Sequence, residues 1–203
     1  GFHLIEEAAS SDAEIKELFV TQRGMKEWGD WLAVNKEIST FLVSDEVMTA
    51  MSDLPTPQGI LAVMTLTSED TPDFSGGWLL LDNVQDPGNV GTMIRTADAF
   101  GMAGVLLGKG TADIYSTKVL RSMQGSNYHL PVLQKDLAEV IPVMKGKGFT
   151  VYGTELNEEA HALDKVEKTE DFAIIMGNEG QGVSQKILSL TDQNVYIPMK
   201  GNA

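Results

Sequence analysis

Cysteine is absent from this chain of 203 residues, and histidine occurs only three times. Without thiols the protein can form neither disulfides nor thiolate metal sites, and such a composition is typical of the reducing cytoplasm. His3, His129 and His161 are scattered along the chain, and their spacing matches no zinc-binding motif. We therefore expect a cytoplasmic location and no bound metal.

Long apolar runs are also lacking, because no stretch approaches the roughly 20 residues that a membrane-spanning helix needs. Apolar residues nevertheless make up 42% of the chain, which is enough to build a core at this length. We therefore expect one large or two small globular domains and no membrane partner.

Basic residues are scarce: 15 lysines and arginines stand against 29 acidic residues, for a net charge of −14. Taken alone, this charge argues against a nucleic-acid partner. Residues 1–70 hold four basic and thirteen acidic residues, a balance of −9, whereas residues 87–134 hold four and two, a balance of +2. We predict a local site for an anionic ligand within an acidic protein. The basic residues of the positive stretch are Arg95, Lys109, Lys118 and Arg121.

A polar segment rich in glycine, proline and serine, residues 67–76, predicts a linker between two domains. Residues 1–66 combine helical periodicity with short apolar runs, which predicts a small α/β domain. Its helices are predicted over 8–18 and 45–52, and its strands over 17–21, 40–44 and 59–66.

The second predicted domain, residues 77–203, alternates strands and helices more regularly. Its strands are nearly continuous apolar runs, a pattern that predicts a parallel sheet covered by helices on both faces. Strands are predicted over 77–81, 104–107, 149–154, 172–176 and 195–198, and helices over 90–100, 114–123, 137–145 and 183–190.

The most informative segment is residues 82–101, DNVQDPGNVGTMIRTADAFG, which follows an apolar strand. Its Pro-Gly turn leads into a helix for which Asn89 is a suitable N-cap. Asn89, Thr92 and Arg95 recur every three residues and so share one flank of that helix. An arginine aimed at the carboxyl end of a parallel sheet indicates an anion or phosphate site. The alternative for a lone arginine is a solvated helix face.

A second segment, IIMGNEGQGVS, is a strand that ends in a glycine-rich loop and leads into a helix. Gly177, Gly180 and Gly182 allow the backbone to approach a ligand closely, and Asn178 and Glu179 add polar groups. The loop matches neither the dinucleotide-binding nor the phosphate-binding glycine motif. A tight strand-to-helix turn without a ligand explains it equally well.

Two further segments carry weaker signals. The last residues, VYIPMKGNA, read as an apolar strand and turn in which Met199 would ordinarily be a core residue. Lys118 and Arg121 lie three apart on a predicted helix and could face phosphates together, with an ordinary solvated face as the alternative.

In this order and spacing, the segments resemble the SpoU (TrmH-like) family of RNA ribose 2′-O-methyltransferases, within the SPOUT superfamily. The resemblance covers about residues 76–203 and is carried by Asp82–Gly101, Gly177-Asn-Glu-Gly-x-Gly and Ile197-Pro-Met-x-Gly. Residues 1–66 resemble, more weakly, the L30e-like substrate-binding domain that often precedes it. The resemblance implies an α/β domain with a deep trefoil knot, an S-adenosylmethionine cofactor and a homodimer.

The resemblance also implies roles for individual residues. Arg95 and Asn89 match the essential arginine and asparagine of the family, and Arg121 falls in a segment that helps to bind RNA. We expect Arg95 to hold the phosphate and the ribose 2′-oxygen as charge develops there, because a guanidinium is very hard to deprotonate. The proton would go to Glu179 or to a substrate phosphate. The implied residues are Arg95, Asn89 and Glu179 for catalysis; Gly177, Asn178, Glu179, Gly180, Ile197 and Met199 for the methyl donor; and Arg95, Lys118 and Arg121 for RNA.

The family's third motif continues into a Ser-Leu-Asn segment and a helix that line the donor pocket and the dimer interface. The printed chain stops at Ala203 and begins within a pattern, so both domains are expected to be cut at these ends. A chain without the rest of the third motif is expected to bind the methyl donor poorly.

The leading hypothesis is 2′-O-methylation of a ribose in structured RNA, with ribosomal RNA favoured over transfer RNA by the L30e-like domain. The alternative is a non-catalytic RNA-binding or ribosome-assembly protein that retains the fold, which the acidic first domain favours mildly. From the residues alone, the prediction would be a nucleotide-cofactor α/β enzyme of unknown reaction, which the missing dinucleotide fingerprint weakens.

Overall fold

The computed structural model describes residues 1–66 and 72–199. The chain divides into two compact units, Gly1–Ser68 and Glu69–Ala203, and each has its own sheet and its own apolar core. Part of the linker predicted over 67–76, namely residues 67–71, lies outside the described residues.

In the first unit, the described elements in chain order are α1 (Phe2–Ala9), β1 (Ile15–Val20), α2 (Gln22–Glu27), α3 (Gly29–Val34), β2 (Ser39–Leu42), α4 (Asp45–Met51) and β3 (Ile60–Met64). The strands form a sheet in the order β2-β1-β3, in which β1 is parallel to β2 and antiparallel to β3. Leu18 and Val20 of β1 are fully buried and form one cluster with Ile5, Leu32 and Ile60.

The helix predicted over residues 8–18 is wrong, because α1 ends at Ala9 and β1 begins at Ile15. The hydroxyl of Ser10 donates to the carbonyl of Glu6 at 2.9 Å. The backbone N–H of Ser10 donates to the same carbonyl at 3.1 Å, so Ser10 ends α1 with both of its donors turned back onto the last turn. Apolar periodicity alone does not distinguish the end of this helix from the start of the strand that follows it, and the prediction joined the two.

In the second unit, the described elements are β4 (Gly77–Asp82), α5 (Pro87–Ala99), β5 (Gly104–Leu107), α6 (Thr117–Met123), a 3-10 turn η1 (Ser126–Tyr128), β6 (Val132–Gln134), α7 (Leu137–Gly146), β7 (Thr150–Thr154), β8 (His161–Ala162), a 3-10 turn η2 (Leu163–Lys165), β9 (Phe172–Gly177), α8 (Gln185–Leu188) and β10 (Gln193–Tyr196). These strands form a seven-stranded sheet in the order β6-β5-β4-β9-β7-β10-β8. Every neighbouring pair is parallel.

Apolar side chains cover this sheet on both faces. Leu80 of β4 belongs to one cluster with Ile141 of α7, whereas Leu79 and Leu81 belong to a second cluster with Ile94 of α5. Successive residues of a strand point to opposite faces, so a strand buried on both sides must be apolar throughout. The parallel α/β fold predicted from the sequence is confirmed.

The last strand is shifted from its predicted position, because β10 spans 193–196 rather than 195–198. It lies between β7 and β8 in the sheet. Val195 is buried, whereas Ile197 and Met199 follow the strand and are 62% and 66% exposed. Met199 is therefore not the core residue that its apolar character alone favours.

Helices α5 and α6 approach each other closely at Gly91. A side chain there would overlap Ser122, and its Cβ would lie 2.8 Å from the backbone nitrogen of Met123. The Ser122 hydroxyl also donates to the Pro87 carbonyl at 3.1 Å, which ties α6 to the first turn of α5. This crossing places the exposed residues of α6 beside those of α5.

Gly91→Ala should lower the free energy of unfolding by about 1–3 kcal/mol, because the added methyl group forces α5 and α6 apart. Gly146→Ala is the matched control, since Gly146 is also helical and a Cβ there meets no atom within 4 Å. Chemical denaturation of both variants measures the difference. Equal stability of Gly91→Ala and the wild type would contradict the close approach.

Candidate active site

The first motif segment and the glycine-rich loop leave the sheet side by side. Asp82 is the last residue of β4 and Gly177 the last residue of β9, and the two are paired in register. The chain continues from β4 to β5 on one side, whereas β9 lies on the other side of β4. Such a reversal opens a crevice at the carboxyl ends of parallel strands, where α/β proteins bind their ligands.

Helix α5 starts at Pro87 rather than at residue 90. Its N-cap is Asp86, whose Oδ1 accepts a hydrogen bond from the backbone N–H of Asn89 at 2.9 Å. The prediction that Asn89 caps this helix is therefore wrong. Proline is favoured at the first helical position, and this leaves the preceding aspartate to cap. The side chain of Asn89 can then serve another partner.

That partner is Glu179, whose carboxylate joins the glycine-rich loop to the start of α5. It accepts a hydrogen bond from Asn89 Nδ2 at 3.1 Å. It also accepts from the backbone N–H groups of Asp86 at 3.1 Å and Gln85 at 3.3 Å. The fold thus brings Asn89 and Glu179 together although 90 positions separate them in the sequence.

These donors stabilise the ionised form of the Glu179 carboxyl. The hydrogen bond from Asn89, and then those from the backbone N–H of Glu179 itself and of Asp86, lower the pKa of this carboxyl from 4.5 to about 2. A carboxylate with this pKa stays ionised at neutral pH and is a weak proton acceptor. The geometry favours a positioning role for Glu179.

The glycine-rich loop closes on itself through Asn178. Asn178 and Gly182 exchange backbone hydrogen bonds of 3.0 and 2.8 Å. The Asn178 side-chain oxygen accepts from the backbone N–H groups of Gly180 at 3.0 Å and Gln181 at 3.1 Å. Its amide group donates to the carbonyl of Asn83 at 3.0 Å. The loop is therefore held in one conformation and is attached to the first motif.

Gly177→Ala should destabilise the protein by about 3 kcal/mol, because an added side chain would overlap the backbone of Gly182 and Val183. Gly180→Ala is the matched control within the same loop, since the nearest atom to its Cβ lies 3.7 Å away. Thermal unfolding compares the two. A Gly177→Ala variant as stable as Gly180→Ala would contradict the folded-back loop.

Arg95 is exposed on the flank of α5 that also carries Asn89 and Thr92. Over residues 1–66 and 72–199, its guanidinium has no hydrogen bond or ion pair to the protein. A guanidinium presents five donors in a planar fork that matches carboxylate and phosphate oxygens. Arg95 is therefore available to an anionic ligand.

Lys118 and Arg121 are exposed on α6, the helix that packs on α5 at Gly91. The two predicted RNA-binding side chains of α6 therefore lie on the helix next to the one that carries Arg95. His129 has a different role: its Nδ1 lies 2.8 Å from the Asp98 carboxylate, and this pair ties the segment after α6 to α5.

Exposed apolar side chains follow two adjacent strands beside the glycine-rich loop. β7 lies next to β9, and β10 lies next to β7. Ile197 and Met199 follow β10, and Leu156 follows β7 and is 82% exposed. Ile197 and Met199 are among the residues predicted from the sequence, whereas Leu156 is not. Its one signal in the sequence is its apolar character two residues after a predicted strand. Position 201, the glycine of the third motif, lies outside the described residues.

Within the described ranges, no group of three or more histidine, aspartate or glutamate side chains is placed to hold a metal ion. The helices of the same ranges are all too short or too polar to cross a membrane.

Known sequence families match both units. The SpoU rRNA Methylase family matches residues 78–203. The MRM3-like substrate binding domain matches residues 1–62.

Similar proteins include the 23S rRNA (guanosine(2553)-2′-O)-methyltransferase RlmP of Bacillus subtilis, which is 41% identical over 207 residues, covering 100% of this chain and 79% of RlmP. A Synechocystis protein named as an uncharacterized tRNA/rRNA methyltransferase is 34% identical over 169 residues, covering 80% of this chain and 60% of its own length. Among solved structures, the SpoU methyltransferase AviRb of Streptomyces viridochromogenes in complex with AdoMet has a TM-score of 0.87 at 25% identity, covering 100% of this chain and 81% of AviRb. The AdoMet-bound rRNA methyltransferase of Sinorhizobium meliloti has a TM-score of 0.82 at 25% identity, covering 100% of this chain and 78% of its own.

Proposed function

The chain belongs to the SpoU rRNA Methylase family, and from this premise we propose that it transfers a methyl group from S-adenosylmethionine to a ribose 2′-hydroxyl of ribosomal RNA. The observation that carries the proposal is the junction of the two motif segments. There Glu179 holds Asn89 by a 3.1 Å hydrogen bond, while Arg95 remains unpaired within the described chain on the same flank of α5. Ribosomal RNA is the substrate in the name of RlmP.

The donor-binding residues fit a ligand that has both polar and apolar parts. The loop from Gly177 to Gly180 offers backbone groups, and space beside Gly180 lets a ligand approach that backbone closely. Ile197 and Met199 offer exposed apolar surface, to which Leu156 adds a third side chain. S-adenosylmethionine supplies an electrophilic methyl group when bound. The AdoMet complex of AviRb, which shares the fold, supports this assignment.

The acceptor-binding residues are the basic side chains of α5 and α6. Arg95 would grip a backbone phosphate and the ribose 2′-oxygen, so that it stabilises negative charge as that oxygen attacks. Lys118 and Arg121 would hold flanking phosphates, which position RNA without reading its sequence. These assignments place the RNA along α5 and α6 and the methyl donor at the glycine-rich loop.

We assign the proton of the 2′-hydroxyl to a substrate phosphate or to water rather than to Glu179. The low pKa of the Glu179 carboxyl makes it a poor base at neutral pH. The Glu179 carboxylate also accepts three hydrogen bonds, through which it orients Asn89 and the turn that precedes α5. Glu179 is then a positioning residue that connects the donor side of the site to the acceptor side.

We assign an RNA substrate-binding role to an L30e-like first domain over residues 1–66, with the second domain over 77–203 after a linker. The match of residues 1–62 to the MRM3-like substrate binding domain supports this division. The balance of −9 over residues 1–70 disfavours extensive phosphate contact there. Phosphate contacts would then come mainly from the second domain.

We further propose that the second domain carries the family's deep trefoil knot and pairs as a homodimer in the cytoplasm. The position of β10, between the earlier strands β7 and β8, supports a knotted path. Exposed Ile197 and Met199 support a partner or ligand surface at the end of the sheet.

Incubation of the full-length protein with methyl-labelled S-adenosylmethionine and separate ribosomal and transfer RNA tests the proposed function. RNA from cells that lack the protein provides unmodified substrate. Label in ribosomal RNA is the expected result. Binding of RNA without label in either fraction would instead favour the non-catalytic alternative, and label in transfer RNA alone would overturn the substrate.

A further inference from the structure

A buried carboxylate at the floor of the crevice has no role in the proposed methyl transfer. Asp82, at the end of β4, is only 9% exposed. Its Oδ2 accepts a hydrogen bond of 2.7 Å from the backbone N–H of Ser184, 102 positions away in the sequence. Ser184 is the N-cap residue of α8, directly after the glycine-rich loop. A buried carboxylate on a backbone N–H makes a strong, charge-assisted bond.

The loop from Gly177 to Ser184, called the donor loop, is fixed at its Ser184 end by the hydrogen bond that Asp82 accepts. The near end is fixed by the register pair of Asp82 with Gly177. The middle is fixed by the Asn178 amide on the carbonyl of Asn83. Both ends of the loop therefore meet Asp82, one through the sheet and one through its side chain. In the described part of the chain, the Ser184 side chain makes no capping hydrogen bond at the start of α8.

We propose that Asp82 is a positioning residue for the methyl donor, because it fixes the shape of the loop from Gly177 to Ser184. This inference rests on the proposed function, in which that loop binds S-adenosylmethionine. Loss of the carboxylate would release the start of α8 and let the loop sample other conformations. Donor binding would then have to order the loop again, at a cost in affinity.

A second aspartate on the same two strands provides a matched control. Asp171 precedes β9, and its Oδ1 accepts a 2.6 Å hydrogen bond from the backbone N–H of Gly76, which precedes β4. Asp171 thus joins the residues that precede β9 and β4. Asp82, at the opposite ends of the two strands, joins the end of β4 to the residue that follows the glycine-rich loop. Removal of either carboxylate costs one bond to a backbone N–H, but only Asp82 lies at the donor loop.

The test compares Asp82→Ala, Asp82→Asn and Asp171→Ala in the full-length protein. Calorimetry with S-adenosylhomocysteine should show at least a tenfold weaker Kd for Asp82→Ala, with Asp171→Ala within about twofold of the wild type. Asp82→Asn keeps an acceptor oxygen for the Ser184 N–H and should stay within about threefold. In methyl transfer, Asp82→Ala should raise the donor KM more than it lowers kcat.

Hydrogen–deuterium exchange without ligand provides a readout that is independent of the donor. Asp82→Ala should speed exchange of the amides between Gly177 and Ser184, and Asp171→Ala should not. Equal exchange in Asp82→Ala and the wild type, or equal loss of donor affinity in Asp171→Ala, would overturn the positioning role. A wild-type protein that binds no donor would overturn the proposed function instead, while the exchange result would still decide the role of Asp82 in shaping the loop.

Discussion

Arg95→Lys is expected to lower kcat/KM for RNA methylation about 100-fold or more. The lysine keeps the positive charge but loses the planar fork that can hold a phosphate and the 2′-oxygen at the same time. Loss of one such donor to a developing oxyanion commonly costs two to three orders of magnitude in rate, or about 2.7–4 kcal/mol. Methyl incorporation at saturating S-adenosylmethionine, measured over a range of RNA concentrations, tests this expectation.

Two controls separate this effect from damage to the fold. Within the described chain the Arg95 guanidinium has no protein partner, so the melting temperature and the affinity for S-adenosylhomocysteine should stay unchanged. Arg121→Lys changes another exposed arginine of the same surface. It should reduce kcat/KM less than about fivefold, because a point charge can hold a flanking phosphate. Near-normal turnover of Arg95→Lys would rule out bidentate positioning.

Glu179→Gln should lower kcat about 10- to 100-fold, although the side chain keeps its size. One amide oxygen replaces two carboxylate oxygens, and the new amide group would face the backbone N–H of Gln85 or of Asp86. Hydrogen bonds to a charged acceptor are stronger than those to a neutral one, so the neutral amide holds these groups less tightly. The loss should release Asn89 and separate the two motif segments. Glu139→Gln, at an exposed position on α7, is the control and should have no effect.

The pH dependence of stability provides a second measure of the same carboxylate. Its pKa is about 2 in the folded protein and 4.5 without the hydrogen bonds. A lowered pKa means that the stabilisation is complete above pH 4.5 and disappears as the pH falls towards 2. Between those values the wild type should lose stability more steeply than Glu179→Gln. Parallel curves would show that Asn89 does not hold the carboxylate in solution.

The pH dependence of kcat distinguishes positioning from proton transfer. If Glu179 only positions Asn89, an ionisation of Glu179 contributes no acid limb between pH 5 and 8, a range well above its pKa of about 2. An acid limb near pH 6 that disappears in Glu179→Gln would identify Glu179 as the proton acceptor.

Much of the second unit could be predicted from the sequence because its strands are apolar on both faces. The bounds 104–107 predicted for one strand agree with β5, and those of β4, β7 and β9 differ from the prediction by one residue at one end. The strand predictions failed where the apolar pattern of the sequence does not match the packing of the residues in the sheet. Ile197 is as apolar as the strand before it but lies outside the sheet. β8 has two residues and β6 has three, which is too short for any periodicity to show.

The site was predictable in its residue types but not in its contacts. Asn89, Arg95 and the glycine-rich loop stand out in the sequence, and the fold brings Asn89 and the loop together through Glu179. The carboxylate of Asp82 gave no signal, because an aspartate after an apolar strand is ordinary turn chemistry. Its bond to Ser184 depends on the pairing of β4 with β9, and strand order cannot be read from local pattern.

Nucleoside analysis of the labelled product decides whether the protein methylates the ribose of its RNA. Ribosomal RNA methylated by the full-length protein is digested to nucleosides and separated by mass. We expect the label in a 2′-O-methylated nucleoside whose linkage to the next nucleotide resists alkali, and we expect Arg95→Lys nearly to abolish it. Label on a base, with an alkali-sensitive linkage, would contradict ribose methylation.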